Sequence, residues 1–169
     1  MIEVFVSGLA FDTLYKQPVV LLKEIEGQRI LPIWIGPNEA AVIALELSGV
    51  SYKRPLTHDL MKSVLNGFNA RLQKIVVSSL KENTYYAKFY IQADKSSIIE
   101  IDARPSDSVA MALKMQAPIF ISEELNNSLI DLIPASDDEP EDDDTDVDPM
   151  DLKSRLRNIK PEDFGNYNL

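Results

Sequence analysis

The stretch "IDARPSDSVAMAL", residues 101–113, decides the fold because it joins a strand pattern directly to a helix pattern. At its start, isoleucines alternate with acidic residues, which is typical of a strand with one apolar face. Pro105 holds the backbone of Arg104 extended and suits the first turn of the alanine-rich helix that follows. Four polar residues lie close together at this junction: Asp102, Arg104, Ser106 and Asp107. They predict either a helix cap or a functional site.

The rest of the chain predicts two runs of strands, each followed by helices, in the order βββαα and then βββαβα. Thr57 is the expected N-cap of the second helix, and Ser48-Gly49 is the expected end of the first. Strands are predicted at 2–9, 18–25, 29–35, 72–81, 84–93, 97–103 and 118–122. Helices are predicted at 38–48, 58–67, 106–116 and 123–130.

Two parts of the chain resemble each other, which predicts an internal duplication. When residues 4–15 are aligned with residues 75–86, five positions are identical: Val6/Val77, Ser7/Ser78, Leu9/Leu80, Thr13/Thr84 and Tyr15/Tyr86. A second alignment superposes Glu39 on Asp107, each near the start of a helix. We therefore expect an α+β fold in which βββα-type repeats, about 1–70 and 71–135, form one pseudo-two-fold domain.

Beyond residue 135 the composition changes. Nine acidic residues lie between Asp137 and Asp148, so residues 136–148 are predicted to be a flexible acidic linker. Residues 149–169 carry apolar positions on one helical face, which predicts a short amphipathic helix that docks on its own body or on a neighbouring subunit. Exposed strand edges and this tail predict a homodimer or larger homo-oligomer.

Composition excludes several classes of protein. The 169 residues include no cysteine, so disulfides and thiolate metal sites are excluded. Residues 1–135 carry 15 acids and 13 bases, a near-neutral balance unlike that of a tight nucleic-acid binder. The first residues read as a strand rather than a signal peptide, and no apolar run is long enough to span a membrane. We therefore expect a cytoplasmic protein without membrane contact.

Candidate functional residues cluster at three predicted helix starts. The first holds Glu39, whose structural role would be to complement the helix dipole. The second holds His58 and Asp59, with a basic set around them: Lys53, Arg54 and Lys62. His58 could act as a base or a metal ligand, Asp59 could bind a divalent ion, and the bases could hold a phosphate. The structural alternative is a capped helix with surface charges.

The third helix start is the opening stretch. If the repeats are related by a two-fold axis, Glu39 and Asp107 face one cleft, with Asp59 and Asp102 nearby. Several carboxylates and Arg104 in one cleft would suit metal-assisted phosphodiester cleavage. The structural alternative is an ion pair of Arg104 with Glu39 or Asp59 that ties the repeats together.

The segments "LPIWIGPNEAAVIALELSG", "RPLTHDLMKSVL" and "IDARPSDSVAMAL" resemble the three signature blocks of the bifunctional nuclease (DNase/RNase) domain family. The resemblance covers roughly residues 1–133 and implies a duplicated α+β fold. It departs from the family's pattern at Ser108, where alanine is usual. The segment 149–169 is also too short for the helical module that many relatives append.

The resemblance implies a nuclease that acts on DNA and RNA without strong sequence preference, with Mg²⁺ or Mn²⁺ as cofactor. The expected catalytic residues are Glu39, His58, Asp59 and Asp107. The expected phosphate-binding residues are Arg54, Lys62 and Arg104, and the expected metal ligands are Glu39, Asp59, Asp102 and Asp107. The alternative is a non-enzymatic regulatory or interaction module that uses the same fold to bind a protein or small ligand.

Overall fold

The structure is a computed structural model, and it describes residues 1–93 and 97–131. The predicted linker, 136–148, and the predicted C-terminal helix, within 149–169, lie outside the described residues. The strands are β1 (Ile2–Asp12), β2 (Gln17–Glu24), β3 (Arg29–Trp34), β4 (Arg71–Lys81), β5 (Thr84–Gln92), β6 (Ile98–Ala103), β7 (Ile119–Ile121) and β8 (Ile130–Asp131). The helices are α1 (Pro37–Ser48), α2 (Thr57–Gly67), α3 (Pro105–Met115) and a 3₁₀ helix (Glu123–Ser128).

All eight described strands form one sheet in the order β6-β5-β4-β7-β1-β2-β3-β8. Two antiparallel meanders, β1-β2-β3 and β4-β5-β6, therefore lie on either side of β7. β7 is antiparallel to β1 and parallel to β4. The last strand of each meander is followed by a helix: α1 follows β3, and α3 follows β6. This order confirms the predicted α+β class.

The core lies mainly between one sheet face and the helices. Alternate residues of β2 point to opposite faces, and Val20 and Leu22 belong to the large cluster that also takes in Ile43 of α1 and Met111 of α3. Val19 and Leu21 of β2 belong to a smaller cluster, and Trp34 packs against its edge. These two clusters fix the end of β3, and with it the start of α1.

The predicted duplication has partial support in the strand register. A bulge separates Val6 from Gly8 in the β1–β2 pair, and another separates Val77 from Ser79 in the β4–β5 pair. The bulged serines behave alike: Ser7 donates to the Leu21 carbonyl and Ser78 to the Tyr86 carbonyl, each at 3.2 Å. The likeness ends at the turns, since Tyr15 lies in the turn after β1 and Tyr86 lies in β5. Duplication stays a prediction.

Two local predictions are wrong. Thr57 is not the N-cap of α2 but its first helical residue, because the Asp59 carboxylate accepts a hydrogen bond from the Leu56 N–H at 2.9 Å and caps the helix one residue earlier. The predicted helix at 123–130 is a 3₁₀ helix followed by β8. Helix α1 does end as predicted, at Gly49 with a φ of 68° that favours glycine.

Helix α2 differs from the other two helices because it buries no residue. Leu65 packs partly against the core, but most apolar side chains of the helix are exposed, with Leu60 at 56% and, just after its end, Phe68 at 78%. Edge strand β6 also exposes its isoleucines, Ile98, Ile99 and Ile101. None of the described helices has the length and apolar character needed to cross a membrane.

Candidate functional site

The starts of α1 and α3 have the same local construction. Each helix begins with proline, after an extended residue at the N-cap, Gly36 for α1 and Arg104 for α3. The acid of the first turn is Glu39 in one and Asp107 in the other. Gly36 has no side chain, and the side chain of Arg104 makes no hydrogen bond to the backbone of α3. The helix cap predicted at this junction is therefore not formed by the N-cap side chain, and the Asp107 carboxylate bonds Arg104.

Arg104 joins the two helix starts. Its Nε donates to Asp107 Oδ2 at 2.7 Å and its Nη2 donates to Asp107 Oδ1 at 3.1 Å. Its Nη1 donates to Glu39 Oε1 at 2.9 Å. The structural alternative of an Arg104–Glu39 ion pair is therefore present. The Arg104 side chain is nevertheless 65% exposed, so its guanidinium is open to a ligand. Its hydrogen bonds to Asp107, and then those to Glu39, raise the pKa of Arg104.

His58 of α2 completes this cluster. Its Nε2 lies 3.7 Å from Asp107 Oδ1, and its side chain is only 15% exposed. We call Glu39, His58, Arg104 and Asp107 the Arg104 cluster. It lines a small cleft of about 120 Å³ whose other walls are Asn38, Val42, Ser106 and Ala110.

Gly36 makes room for the Glu39 carboxylate. A Cβ added at Gly36 would collide with Glu39 Oε2, because the side chain turns back over the start of α1. The absence of a side chain at position 36 therefore lets Glu39 reach Arg104 across the helix boundary.

Asp59 belongs to a separate ion cluster, which we call the Lys114 clamp. Lys114 Nζ of α3 bonds Asp59 Oδ1 of α2 and, at 2.7 Å, Glu46 Oε1 of α1, so one ammonium joins three helices. The Lys114 side chain is 14% exposed. The hydrogen bond from Lys114, followed by that from the Leu56 N–H, lowers the pKa of Asp59. Burial alone would lower the pKa of Lys114, but the bonds to Asp59 and Glu46 raise it.

The remaining predicted site residues lie outside the cleft. Asp102 of β6 is exposed and stands opposite Lys88 in the sheet register. Lys62 donates to the backbone carbonyl of Lys114 at 3.2 Å, beside the clamp. Arg54 is exposed in the segment that precedes α2. The structure thus brings together Glu39, His58, Arg104 and Asp107 and separates them from Asp59, Asp102, Lys62 and Arg54.

The predicted site of four carboxylates is divided by this placement. Across residues 1–93 and 97–131, no three histidine or carboxylate side chains converge where an ion could be held. Two of the four predicted carboxylates, Glu39 and Asp107, belong to the Arg104 cluster, and both pair with Arg104. Their oxygens are the ligand type that Mg²⁺ takes, and Mg²⁺ is commonly held by one or two carboxylates together with substrate phosphates.

Sequence reasoning missed several residues near the site. Lys114 and Glu46 gave no signal, because a charged residue in a helix is usually on a solvated face. Trp34 could have been noticed, since the only tryptophan of the chain stands two residues before Gly36. It lines a second cleft of about 300 Å³ that shares Glu39, Arg104 and Ser106 with the first.

Comparison with known proteins confirms the family resemblance of the signature blocks. The family model described as the bifunctional nuclease domain matches residues 20–129. An uncharacterized protein of Mycobacterium tuberculosis is 40% identical over 163 residues, which cover 96% of this chain and 97% of that protein.

Two plant proteins are more distant relatives. The protein named bifunctional nuclease 2 of Arabidopsis thaliana is 24% identical over 109 residues, 63% of this chain and 33% of that protein. The protein named bifunctional nuclease 2 of Oryza sativa subsp. japonica is 21% identical over 112 residues, 64% of this chain and 34% of that protein. The chain matches about a third of each plant protein. The family match over residues 20–129 and the close bacterial relative show that this chain belongs to the bifunctional nuclease domain family.

Proposed function

We propose that this chain is a nuclease that cleaves phosphodiester bonds of DNA and RNA without strong sequence preference. Membership of the family supports nuclease chemistry. The observation that carries the proposal is the exposed position of Arg104 in the cleft. Its side chain is 65% exposed, and its guanidinium lies between two carboxylates beside a histidine. A planar guanidinium binds phosphate oxygens through two parallel hydrogen bonds. Contacts to phosphate carry no sequence information, which agrees with the absence of sequence preference.

Arg104 would hold the phosphate and His58 would move the proton. A phosphate that binds the guanidinium would displace one of its two carboxylate partners, Asp107 or Glu39, and the other would stay bonded to Arg104. The displaced carboxylate stays close to the phosphate. His58 Nε2, 3.7 Å from Asp107 Oδ1, is positioned to take a proton from the attacking water or to give one to the leaving oxygen. The Asp107 carboxylate beside that nitrogen would balance the positive charge of the imidazolium.

A divalent ion, Mg²⁺ or Mn²⁺, is part of the proposal. Glu39 and Asp107 would hold it together with oxygens of the substrate phosphate, and it would neutralise charge and make bound water more acidic. Asp59 would instead fix α2, and with it His58, through the Lys114 clamp. Arg54 and Lys62, on the α2 side of the cleft, would contribute to attraction of the nucleic-acid backbone rather than to the chemistry.

The test is cleavage of single-stranded DNA and RNA by purified protein in Mg²⁺, Mn²⁺ or EDTA. Asp107→Asn and Glu39→Gln are compared with the control Glu100→Gln. Glu100 of β6 is a matched carboxylate that pairs with Lys88 of β5. We expect metal-dependent cleavage that is lost in the first two variants and kept in the third. Equal cleavage by all three variants would contradict the proposed site. No cleavage by the wild type in any condition would contradict the nuclease function.

A second function, an interaction module, is favoured by the exposed apolar face of α2. We propose it as the alternative, with a second copy of the chain as the partner. The face consists of Leu56, Leu60, Met61, Val64 and Phe68, all at least 40% exposed, and an apolar patch of this kind on a soluble domain commonly marks an interface. Light scattering tests it: a dimer that Leu60→Lys and Phe68→Ser convert to a monomer supports the interface. A wild-type monomer at micromolar concentration contradicts it.

A further inference from the structure

The second cleft is not used by the chemistry proposed above. We call it the aromatic cleft, after Trp34 at the end of β3 and Tyr85 at the start of β5. Arg104 lies between it and the smaller cleft, because it lines both. Asn83 and Thr84 also line the aromatic cleft. A cleft of about 300 Å³ is at the lower limit for small-molecule sites, the size of a single nucleotide unit rather than a larger ligand.

Both aromatic side chains are held in place by the fold. The Trp34 indole Nε1 donates to Asp12 Oδ2 at 3.0 Å, and the ring packs against the smaller apolar cluster. Tyr85 is packed against the large core cluster. Burial raises the pKa of Tyr85, so its phenol stays neutral. Rings that are fixed before a ligand arrives lose little conformational entropy on binding.

The combination of groups indicates which chemical class the cleft would take. Trp34 and Tyr85 line this cleft from two different apolar clusters, beside the exposed Arg104 side chain. An aromatic ring next to a guanidinium matches a flat ring that is joined to a phosphate. Asn83 and Thr84 add an amide and a hydroxyl, which can hydrogen-bond the polar edge of a base. Aliphatic or sugar ligands would use the apolar walls but would bring no anionic group to Arg104.

We propose that the aromatic cleft binds one nucleobase of a single-stranded nucleic acid, next to the phosphate held by Arg104. This inference rests on the proposed function for the assignment of that phosphate. A base in a duplex is stacked and paired, so it would have to be extruded before it could enter. Single-stranded substrates are therefore expected to bind and be cleaved in preference to duplexes. Stacking on aromatic side chains tolerates all bases, which agrees with the absence of sequence preference.

The single tryptophan makes the proposal directly measurable. Trp34 fluorescence is recorded during titration with hexathymidylate, and again with a hexamer of the same backbone that carries abasic sites throughout. Both titrations are done in EDTA and in Mg²⁺, and separately from any cleavage assay. We expect hexathymidylate to quench Trp34 and to bind about tenfold or more tightly than the abasic hexamer, as one stacked base should give. Equal affinity without quenching would overturn the proposal.

A pair of neighbouring tyrosines supplies the matched control. Tyr85→Leu removes a wall of the cleft, whereas Tyr86→Leu changes a 41% exposed residue that does not line it. We expect the preference for hexathymidylate to fall severalfold in the first variant and to stay in the second. Loss of the preference in both variants, or in neither, would contradict the assignment.

The outcomes separate this inference from the proposed function. Base-dependent quenching without cleavage in any metal would leave the base site standing and refute the nuclease. Cleavage without base-dependent quenching would refute the base site and leave the nuclease standing.

Discussion

The Arg104 cluster and the Lys114 clamp are built from the same kinds of residue and differ in access to solvent. Each has a cation that binds two carboxylates. Both carboxylates of the Arg104 cluster lie in the first turn of a helix, whereas in the Lys114 clamp only that of Asp59 does. The Lys114 side chain is 14% exposed, whereas that of Arg104 is 65% exposed. A phosphate can therefore reach Arg104, while Lys114 is closed in by three helices.

This difference shows why an acidic residue at a helix start does not reveal its own role. Asp59 and Asp107 occupy equivalent positions in α2 and α3. Asp59 completes a structural clamp, and Asp107 lies beside an exposed guanidinium and an imidazole. The exposure of the partner cation separates the two cases. Variants that act on one cluster should therefore change activity, and variants that act on the other should change stability.

The largest expected effect is on activity, at His58. His58→Gln keeps a hydrogen-bonding side chain but removes the group that moves the proton, and general acid–base catalysis commonly contributes about 100-fold or more. We expect cleavage of single-stranded DNA to slow by about this factor, with unchanged affinity for the strand. Single-turnover kinetics and fluorescence anisotropy measure the two quantities. A fall in affinity with an unchanged rate would instead make His58 a binding residue.

The next effect is on stability, at Lys114. Lys114→Met leaves Asp59 and Glu46 without their shared cation in a mostly buried position, and we expect a loss of about 2 kcal/mol in the free energy of unfolding. Urea denaturation measures it. Lys88→Met is the control, because Lys88 forms an exposed pair with Glu100 and exposed pairs contribute about 0–1 kcal/mol. If Lys114→Met and Lys88→Met had equal free energies of unfolding, the Lys114 clamp would stabilise the fold no more than an exposed ion pair does.

Stability should depend on pH through the Lys114 clamp, because Asp59 must be ionised to pair with Lys114. The lowered pKa of Asp59 means that its folded carboxyl binds a proton more weakly than in the unfolded chain. Its stabilising contribution is therefore complete above the ordinary carboxyl range and is lost as pH falls through the folded pKa. Urea denaturation from pH 7 to about pH 3 should show a smaller loss of stability in Asp59→Asn than in the wild type. Parallel curves for the two proteins would contradict this role.

The smallest effect is expected at Gly36. Gly36→Ala adds a Cβ that collides with the Glu39 carboxylate, and this flexible side chain can move away without disturbing the helix. We expect cleavage to slow a few-fold with an unchanged urea midpoint. If the variant unfolds more easily but cleaves normally, the position of Glu39 has no part in the activity.

Much of the fold could be predicted from the sequence because apolar periodicity and helix-end residues carry local information. The three α-helices and the strands of the two meanders were predicted within a few residues. The helix predicted at 123–130 was wrong because its polar segment is short, and Ser122 accepts a hydrogen bond from the Glu124 N–H at the start of a 3₁₀ turn. The N-cap of α2 was misplaced because Asp59 can cap the backbone of Leu56 in place of Thr57.

The candidate site was predictable only in part. The internal alignment paired Glu39 with Asp107, and the structure places both on Arg104. No local pattern could separate Asp59 from them, because its partner Lys114 is 55 positions away along the chain. Asp102 was expected near the cleft since it lies in the same signature block as Arg104 and Asp107. Its strand register instead sets it opposite Lys88, which depends on the pairing of β5 with β6.

The central claim is that Arg104 is a phosphate-binding cation rather than a structural tie between two helices. Its most direct test is single-turnover cleavage of an end-labelled single-stranded DNA by Arg104→Gln, beside the wild type and Lys88→Gln. Urea denaturation is measured on the same samples. We predict cleavage at least about 100-fold slower in Arg104→Gln, wild-type cleavage in Lys88→Gln, and similar unfolding midpoints for all three proteins. Wild-type cleavage by Arg104→Gln, with or without a loss of stability, would contradict the claim.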